Sequence, residues 1–522
     1  MQHPYQRICV CHPVGGDGSG VLLAASGPKI LSVNLQNGSI VSSWPEEKSS
    51  SAHETRETST LEGPPGKKRK IAQSTETKPN VIQLITSHDQ EHVIAVTGED
   101  KCIRVFAIDP TGQLTQLSER YNESLLYRGL ELTMPRCTPK RPCAIAVTPD
   151  NQTVILGDKH GDVHTLPLFP GDKDPSQLVL GKAEDAPRKA FVPAATNLTV
   201  HTGRNRKALE AQQNQKDLHA KTKEPPKFES TLLLGHVSML TDLLLATVVP
   251  DEPDAKPRHY ILTSDRDEHI RVSRGLPQTH VIEGYCLGHT EFVSKLCILN
   301  DRLLVSGGGN NWLGVWDWVR GELDMKLDLK DLLVAASQDG LIPQTSDTSF
   351  RDASDTIAVS GLWACHVEDP HELLIALEGV PALFHIPIAQ LVAQYQGHLD
   401  LDYTALPGNL LDIAIHTPVS TTSAEHLSSL NEASLIVSVD NIHAPGSTSQ
   451  PRSQPTSQRL LRLSLSNDPE IKRWGIDERS TALLEAANSA EGPERGAKVV
   501  AALCYGVETL RKRGGGKEEE EE

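Results

Sequence analysis

Two Gly-His pairs occupy the same place relative to two strand–turn–strand units of this 522-residue chain. Gly235-His236 precedes the first unit, Gly288-His289 precedes the second, and the second closes on Trp316-Asp317. A histidine, a hydroxyl group, an indole N–H and a turn carboxylate can satisfy one another's hydrogen bonds inside a single sheet. The pattern therefore predicts a small sheet, repeated along the chain, in which each copy contains its own polar chain.

Similar units recur on both sides of these two. Short apolar runs rich in β-branched residues are closed by turns of Gly, Asp or Asn, a pattern typical of antiparallel hairpins. The clearest runs span residues 93–106, 153–166, 260–273 and 303–317. Weaker ones span 373–386 and 434–465, and helical periodicity is confined to 479–487 and 496–511. The sequence therefore predicts an all-β chain.

A Gly-His pair that opens a unit and a Trp-Asp pair that closes it are typical of WD repeats, which build β-propellers. The hairpins between residues 5 and 465 are enough for about seven blades. We therefore expect an all-β WD-repeat β-propeller of seven blades with long disordered insertions. The polar chain of the blades is predicted to contain five residues, namely His236, Asp267, His289, Ser306 and Trp316.

Polar segments interrupt the predicted blades. Hydrophobic residues make up 38% of the chain, below the globular average of about 45–50%, so part of the chain is not expected to pack. The expected organisation is a first blade region at 1–44, a disordered basic linker at 45–80, blades at 81–169, a charged insertion at 170–228, blades at 229–440, a disordered loop at 441–458, a closing strand region at 459–475, and a C-terminal helical segment with an acidic tail at 476–522.

Charge and motifs exclude several function classes. The formal net charge of −17 disfavours a protein that grips nucleic acid over its whole surface. Apolar runs such as 243–249 fall far short of the roughly 18 residues that span a membrane. The metalloprotease, hydrolase and phosphate-loop motifs are all missing from the sequence. We therefore expect no catalytic, cofactor-binding or metal-binding residues, and a scaffold rather than an enzyme.

One block of the chain carries more than a propeller requires. It consists of Leu234–Asp242, Ile261–Arg274 and Ile282–Ser294, and Gly307–Trp318 extends it. The run Ser264-Asp-Arg-Asp-Glu-His-Ile-Arg-Val-Ser273 has charges that a generic WD repeat leaves free. The block, within residues 231–320, strongly resembles the non-catalytic WD-repeat subunit of eukaryotic, fungal-type tRNA (guanine-N7) methyltransferase.

The resemblance implies a heterodimer with a separate catalytic subunit. That partner would bind S-adenosylmethionine and form N7-methylguanosine in the tRNA variable loop, while this chain would need no cofactor. The propeller would stabilise the active partner, and tRNA would be reached through the complex. The resemblance also suggests a salt bridge from Arg271 to an acidic group of the partner. Arg266, Asp265 and His269 lie on the same hairpin and complete the expected interface.

Two basic clusters suggest further contacts. Lys67, Lys68, Arg69 and Lys70 form a run that favours nuclear import, although a solvated charge run is the simpler interpretation. Arg204, Arg206 and Lys207 could contact tRNA phosphates, or could belong to an insertion that contacts nothing. We therefore expect a nuclear protein with no membrane contact.

Two other functions fit a propeller. The first is a general WD-repeat scaffold, such as a substrate adaptor of a ubiquitin ligase, which would not need the charged block at Asp265–Ser273. The second is an RNA-binding protein that acts alone. The acidic balance and an aromatic content of only 4% weigh against the second function, because base stacking needs aromatic rings.

Overall fold

Seven antiparallel sheets follow one another along the chain, six of four strands and one of four strands with a fifth paired beside them. The computed structural model describes residues 2–16, 18–45, 78–117, 136–137, 140–169, 230–250, 256–341, 358–366, 371–392, 401–417, 433–454, 456–466 and 473–512. In each sheet the strands pair in chain order, and the first strand contacts the first strands of both neighbouring sheets. Because β26 of the last sheet also contacts β1 of the first, the sheets close into a ring. The predicted seven-bladed propeller is confirmed.

The first four blades span residues 7–286. Blade 1 contains β1 (Arg7–Cys11), β2 (Val21–Ser26), β3 (Lys29–Asn34) and β4 (Ile40–Trp44). Blade 2 contains β5 (Val81–Thr86), β6 (His92–Thr97), β7 (Cys102–Ile108) and β8 (Leu114–Gln116), with β9 (Arg136–Cys137) paired to β7. Blade 3 contains β10 (Pro142–Val147), β11 (Thr153–Asp158), β12 (Asp162–Pro167) and β13 (Thr231–Gly235). Blade 4 contains β14 (Leu240–Val248), β15 (Arg258–Asp265), β16 (Ile270–Arg274) and β17 (Ile282–Cys286).

Three further blades and the described helices complete the structure. Blade 5 contains β18 (Val293–Ile298), β19 (Leu303–Gly308), β20 (Trp312–Asp317) and β21 (Glu322–Asp328). Blade 6 contains β22 (Val359–Cys365), β23 (Glu372–Leu377), β24 (Ala382–Pro387) and β25 (Asp402–Ala405). Blade 7 contains β26 (Leu410–His416), β27 (Ser434–Val439), β28 (Leu460–Leu465) and β29 (Trp474–Ile476). The helices are α1 (Lys330–Gln338), α2 (Glu478–Ala482), α3 (Glu485–Ser489) and α4 (Ala497–Cys504), with 3-10 turns at Ile388–Leu391 and Glu508–Leu510.

The hydrophobic core is divided among the joints between blades. Within the described part of the chain, each of seven apolar clusters combines residues of two adjacent blades, and together the clusters account for every joint of the ring. Each sheet is therefore apolar on both faces, which explains the short, continuous apolar runs of the sequence. Helix α1, which the sequence analysis did not predict, adds Leu332, Leu333 and Ala336 to the joint between blades 5 and 6.

The joint between blades 7 and 1 closes the ring without a shared strand, because each blade is made of its own consecutive strands. Tyr5 and Leu460 belong to the apolar cluster of this joint, together with Leu484 and Ala487 from the helical segment that follows blade 7. The fully buried guanidinium group of Arg459 donates to the carbonyls of His3, Ala487, Asn488 and Ala490 and lies 4.6 Å from the Tyr5 ring. Residues before the first blade and after the last blade therefore seal the ring.

Blade 5 contains the predicted polar chain. His289 Nδ1 lies 2.8 Å from Asn310 Oδ1, and His289 Nε2 lies 2.7 Å from Ser306 Oγ. The Trp316 indole N–H donates to the same Ser306 oxygen at 2.8 Å. A neutral histidine that donates to Asn310 and accepts from Ser306 satisfies every member. The prediction for His289, Ser306 and Trp316 is confirmed, with Asn310 as the turn residue.

Blade 4 uses a different turn residue from the one predicted. His236 Nδ1 lies 3.0 Å from Asp265 Oδ2, and His236 Nε2 lies 2.7 Å from Thr263 Oγ1. Asp265 also accepts the backbone N–H groups of Asp267 and His269. The prediction of Asp267 for this role is wrong, because β15 ends at Asp265 and places that carboxylate inside the turn. The prediction for His236 is confirmed.

The segment expected to be a disordered loop at 441–458 packs into the structure where it is described. Asn441, Ile442 and His443 are buried, and Asp440 accepts the backbone N–H groups of Ile442 and His443. The Pro-, Ser- and Gln-rich composition was misleading because side chains of the propeller, rather than a local apolar core, hold this segment. Among the helices described, none is long and apolar enough to cross a membrane.

Several predicted segments lie outside the described residues. They include most of the 45–80 linker with Lys67–Lys70, the 170–228 insertion with Arg204, Arg206 and Lys207, and the acidic tail from residue 513. The predictions made for them remain predictions.

A first test concerns the polar chain of blade 5. Ser306→Ala removes the partner of both His289 Nε2 and the Trp316 N–H, which are buried. We expect the free energy of unfolding to fall by about 1–3 kcal/mol for each buried group left without a partner. Urea denaturation followed by tryptophan fluorescence measures this loss. Ser449→Ala, at an exposed serine, is the matched control, and equal midpoints for both variants would contradict the structural role of Ser306.

A second test concerns pH. Burial lowers the pKa of His289 to about 4, although its hydrogen bond to Asn310 acts in the opposite direction, and burial likewise lowers the pKa of His416 to about 4. Between pH 6.5 and 4 the unfolded chain therefore binds protons that the folded chain does not. The free energy of unfolding should be highest above pH 6.5 and fall as pH drops through this window, by on the order of 3 kcal/mol per histidine.

Two histidine variants separate this effect from general acid sensitivity. His416→Gln should flatten the dependence of the unfolding free energy on pH between 6.5 and 4, because it removes one titrating group. His280→Gln, at an exposed histidine of blade 4, should leave that dependence unchanged. An unchanged slope in His416→Gln would contradict the assignment of a buried neutral histidine at this position.

Candidate interaction surfaces

After the last blade the chain crosses one face of the propeller. We call this the upper face, defined by the turns between the second and third strands of the blades, and we call residues 497–512 the C-terminal segment. The segment begins with α4 beside blade 7, where the Tyr505 hydroxyl donates to Asp440 Oδ2 at 2.5 Å and accepts from Asn409 Nδ2 at 3.0 Å. Burial acts to raise the pKa of Asp440, but hydrogen bonds from His443 and Tyr505 hold that pKa below its ordinary value. This contact anchors the segment to blade 7.

Blade 6 supplies the second anchor. Glu378 lies in the turn between β23 and β24, and its carboxylate accepts the consecutive backbone N–H groups of Gly506, Val507 and Glu508 at 2.5, 2.8 and 2.7 Å. These groups open the 3-10 turn at Glu508–Leu510 and have no acceptor within that turn. A charged acceptor for three donors is a strong local clamp.

Blades 4 and 5 supply the third anchor. The Arg266 side chain donates from Nε to the Leu510 carbonyl at 2.8 Å. Arg511 lies 3.5 Å from Glu291 Oε2, and Lys512 Nζ lies 3.0 Å from Asp267 Oδ1. Asp267 thus contacts the C-terminal segment instead of completing the polar chain of blade 4. The segment therefore reaches from blade 7 to blade 4 across the upper face.

Beneath this segment lies a cavity of about 590 Å³ at the mouth of the central channel. Its lining includes the first residues of several innermost strands, the turn residues Lys159 and Arg266, and residues 502–507 of the C-terminal segment. Five cationic side chains line it, namely Arg7, Arg141, Lys159, Arg266 and Lys295. This positive lining contrasts with the net charge of −17 of the whole chain.

The four residues predicted to form the partner interface have different environments in the structure. Asp265 and Arg271 are buried, Arg266 faces the C-terminal segment, and only His269 is exposed, with half of its side-chain surface accessible. Burial acts to raise the pKa of Asp265, but hydrogen bonds from His236 and from the His269 backbone lower it below its ordinary value. Asp265 thus serves the blade itself.

Arg271 occupies the space that tryptophan fills in blade 5. Thr263 of blade 4 corresponds to Ser306 of blade 5. Thr263 pairs with Arg271, whereas Ser306 pairs with Gly314. Two residues further along the strand, blade 4 has Ser273 where blade 5 has Trp316. The guanidinium group folds back to donate to Ser273 Oγ at 2.9 Å and to the Gly235 carbonyl at 3.2 Å. Arg271 is thus buried and bonded within blades 3 and 4, and its salt bridge to the partner stays a prediction. Strand alternation could not show this burial, because the neighbouring residue decides whether the arginine turns inward.

Blade 4 exposes its outermost strand, β17. Ile282, Tyr285 and the following Leu287 are 44%, 41% and 60% exposed, and the His269 ring lies 6.4 Å from the Tyr285 ring. Among the described strands β17 pairs only with β16, so its outer backbone edge is open. We call His269, Ile282, Tyr285 and Leu287 the blade-4 edge. The three residues Ile282, Tyr285 and Leu287 are absent from the predicted interface, because an apolar residue in a strand usually indicates core.

Two groups of side chains bring metal-ligand atoms together within the described residues, Asp89–Glu91–His92 and Asp158–Asp162–His164. Both central aspartates already serve turns. Asp89 Oδ1 accepts the Glu91 N–H, and Asp158 Oδ1 accepts the N–H groups of His160 and Asp162. Asp-capped turns account for these groups without an ion.

The clamp at Glu378 can be tested by hydrogen exchange. Glu378→Ala removes the acceptor of three consecutive N–H groups, so we expect amide exchange at residues 506–508 to accelerate at least tenfold. The midpoint of unfolding should change little, because Glu378 lies outside the joints between blades. Glu322→Ala, at an exposed glutamate of β21, is the matched control. Unchanged protection in the Glu378 variant would rule out the clamp.

The chain is similar to known proteins over most of its length. A family model described as the tRNA methyltransferase TRM82 WD40 domain matches residues 22–464. The TRM82 protein of Phaeosphaeria nodorum is 40% identical, with 99% of each chain covered. The Coccidioides immitis protein is 39% identical over 94% of this chain and 95% of its own length, and the Aspergillus oryzae protein is 36% identical over 99% of each.

Each of these relatives is named a tRNA (guanine-N(7)-)-methyltransferase non-catalytic subunit. Their names agree with the prediction of a scaffold subunit without a catalytic role, and the resemblance seen in residues 231–320 extends to nearly the whole chain. The chain therefore belongs to the TRM82 family of WD40 propellers, whose curated members are named non-catalytic subunits of tRNA (guanine-N7) methyltransferase.

Proposed function

We propose that this propeller binds the catalytic subunit of tRNA (guanine-N7) methyltransferase and holds it in its active conformation. The complex then forms N7-methylguanosine in the tRNA variable loop. The observation that carries this proposal is the exposed blade-4 edge, which lies inside the block of sequence resembling the family. Family membership supports the identity of the partner.

The blade-4 edge has the chemistry of a protein-binding surface. Tyrosine is enriched at interfaces because its ring contributes apolar area and its hydroxyl group can still bond. Leucine and isoleucine side chains that stand out from a blade expose apolar surface that a partner can bury, at about 25 cal/mol per Å² removed from water. The open edge of β17 also offers backbone N–H and C=O groups to a partner.

Arg271 supports this surface from beneath. It pairs with Tyr285 across β16 and β17, and its guanidinium group is tied to the Gly235 carbonyl of blade 3. Arg271 therefore acts as a positioning residue that holds blades 3 and 4 together under the edge. Loss of Arg271 would weaken the complex indirectly, by disturbing Tyr285, and a direct salt bridge is not required.

The chain contributes to catalysis by binding alone. An interface stabilises the active conformation of a partner only when it prefers that conformation, and it then shifts the partner's population toward activity. A propeller of net charge −17 leaves most phosphate contact to the partner. A general scaffold function, such as substrate recruitment to a ubiquitin ligase, receives no support from the family relationship.

The blade-4 edge can be tested by co-purification and calorimetry. The double variant Tyr285→Ser/Leu287→Ser removes two exposed apolar side chains, so we expect the dissociation constant for the catalytic subunit to rise at least tenfold. Thermal unfolding of the propeller alone should be unchanged, because both side chains are exposed. The matched control is Val14→Ser/Val392→Ser, two exposed valines on blades 1 and 6.

Wild-type affinity in the blade-4 variant would exclude this edge as the interface. Equal weakening in both variants would point to a nonspecific loss of surface apolarity and would also contradict the proposal. Methyltransferase activity of the reconstituted complex should fall in parallel with affinity at low subunit concentration, and should recover when excess propeller variant restores the complex.

A further inference from the structure

The channel mouth on the upper face concentrates positive charge in an acidic protein. Arg7 and Lys295 reach it from the innermost strands of blades 1 and 5, and Arg141, Lys159 and Arg266 reach it from blades 3 and 4. Five cations around one cavity repel one another, and the repulsion is relieved when an anion enters.

The carboxylates near these five cations already accept hydrogen bonds from backbone N–H groups. Glu378 is the only carboxylate among the described residues that line the cavity, and its oxygens accept the N–H groups of Gly506, Val507 and Glu508. Asp242 and Asp412 lie near Arg7 and Lys295, but each accepts two backbone N–H groups, and burial raises the pKa of both. Within the described part of the chain, Arg141 and Lys159 form no salt bridge.

The cavity has the dimensions of a small-molecule site. Its volume of about 590 Å³ falls within the range of about 300–1,000 Å³ that such sites occupy. The C-terminal segment forms a wall through residues 502–507, with Leu503, Cys504 and Tyr505 among them, and the cations face this wall from blades 1, 3, 4 and 5. A small ligand with several charges on few atoms matches this combination.

We propose that the channel mouth binds a small anion with several phosphate groups. A phosphate monoester carries about 1.5–2 negative charges at pH 7, so about three phosphates are needed to approach the five positive charges of the cluster. Arginine favours phosphate because its planar fork donates two parallel hydrogen bonds, and lysine adds a point charge. The site is independent of the blade-4 edge, because none of the four edge residues lines the cavity.

Isothermal titration calorimetry of the full chain with inorganic tripolyphosphate at physiological salt tests the site. We expect saturable binding that weakens as the salt concentration rises. The double variant Arg141→Gln/Lys159→Gln removes two exposed cations without breaking a salt bridge, and should weaken binding at least tenfold. Arg302→Gln/Lys330→Gln, two exposed cations away from the cavity, is the matched control and should bind as the wild type does.

Three results would overturn the proposal. They are no saturable binding to the wild-type chain, equal weakening in the cavity and control variants, and binding of a pentaglutamate peptide at least as tight as that of tripolyphosphate. The last result would assign the cavity to carboxylates, including Glu518–Glu522 of this chain. Circular dichroism of each variant shows whether the propeller is intact, so that a folding defect is not taken for loss of the site.

Discussion

The structure depends on closure of a ring whose core lies between blades. No blade buries its own two faces, because each face is covered only by a neighbour, so the last joint must be as well packed as the other six. In this chain the first and last blades each consist of consecutive strands, so no strand is shared across that joint. The joint is closed by apolar packing around Tyr5 and Leu460 and by the hydrogen bonds of a buried Arg459, whose guanidinium group reaches the residues on both sides of the joint. The two ends of the propeller are thereby fixed to each other.

The way in which the ring closes determines the path of the residues that follow β29. Helices α2 and α3 follow β29, α3 lies against the closing joint, and the chain then continues as α4 onto the upper face. There Asp440, Glu378 and Arg266 hold it across blades 7, 6 and 4. The part of the upper face that belongs to blades 4 to 7 is therefore crossed by the protein itself, and the basic channel mouth lies beneath this segment. The outer edge of blade 4 remains available for a protein partner.

The two surfaces differ in the chemistry they favour. The blade-4 edge exposes apolar side chains on a strand with an open backbone edge, which suits a protein partner. The channel mouth exposes cations around a small volume, which suits a compact anion. A scaffold subunit can thus carry both a docking surface and a ligand site without any catalytic group. Since the two surfaces share no residues, they can be altered separately.

Sequence alone determined the blades, because the short apolar runs, the turn residues and the spacing of His289, Ser306 and Trp316 are properties of one short stretch each. Family resemblance was likewise readable from the charged block. The tertiary structure decided which charges are free. Asp265 rather than Asp267 enters the blade-4 chain because of where β15 ends, and Arg271 turns inward because Ser273 leaves the space of a tryptophan. Residues far apart in sequence surround these side chains, so only the closed ring determines whether each charge meets solvent, a neighbouring blade or the C-terminal segment.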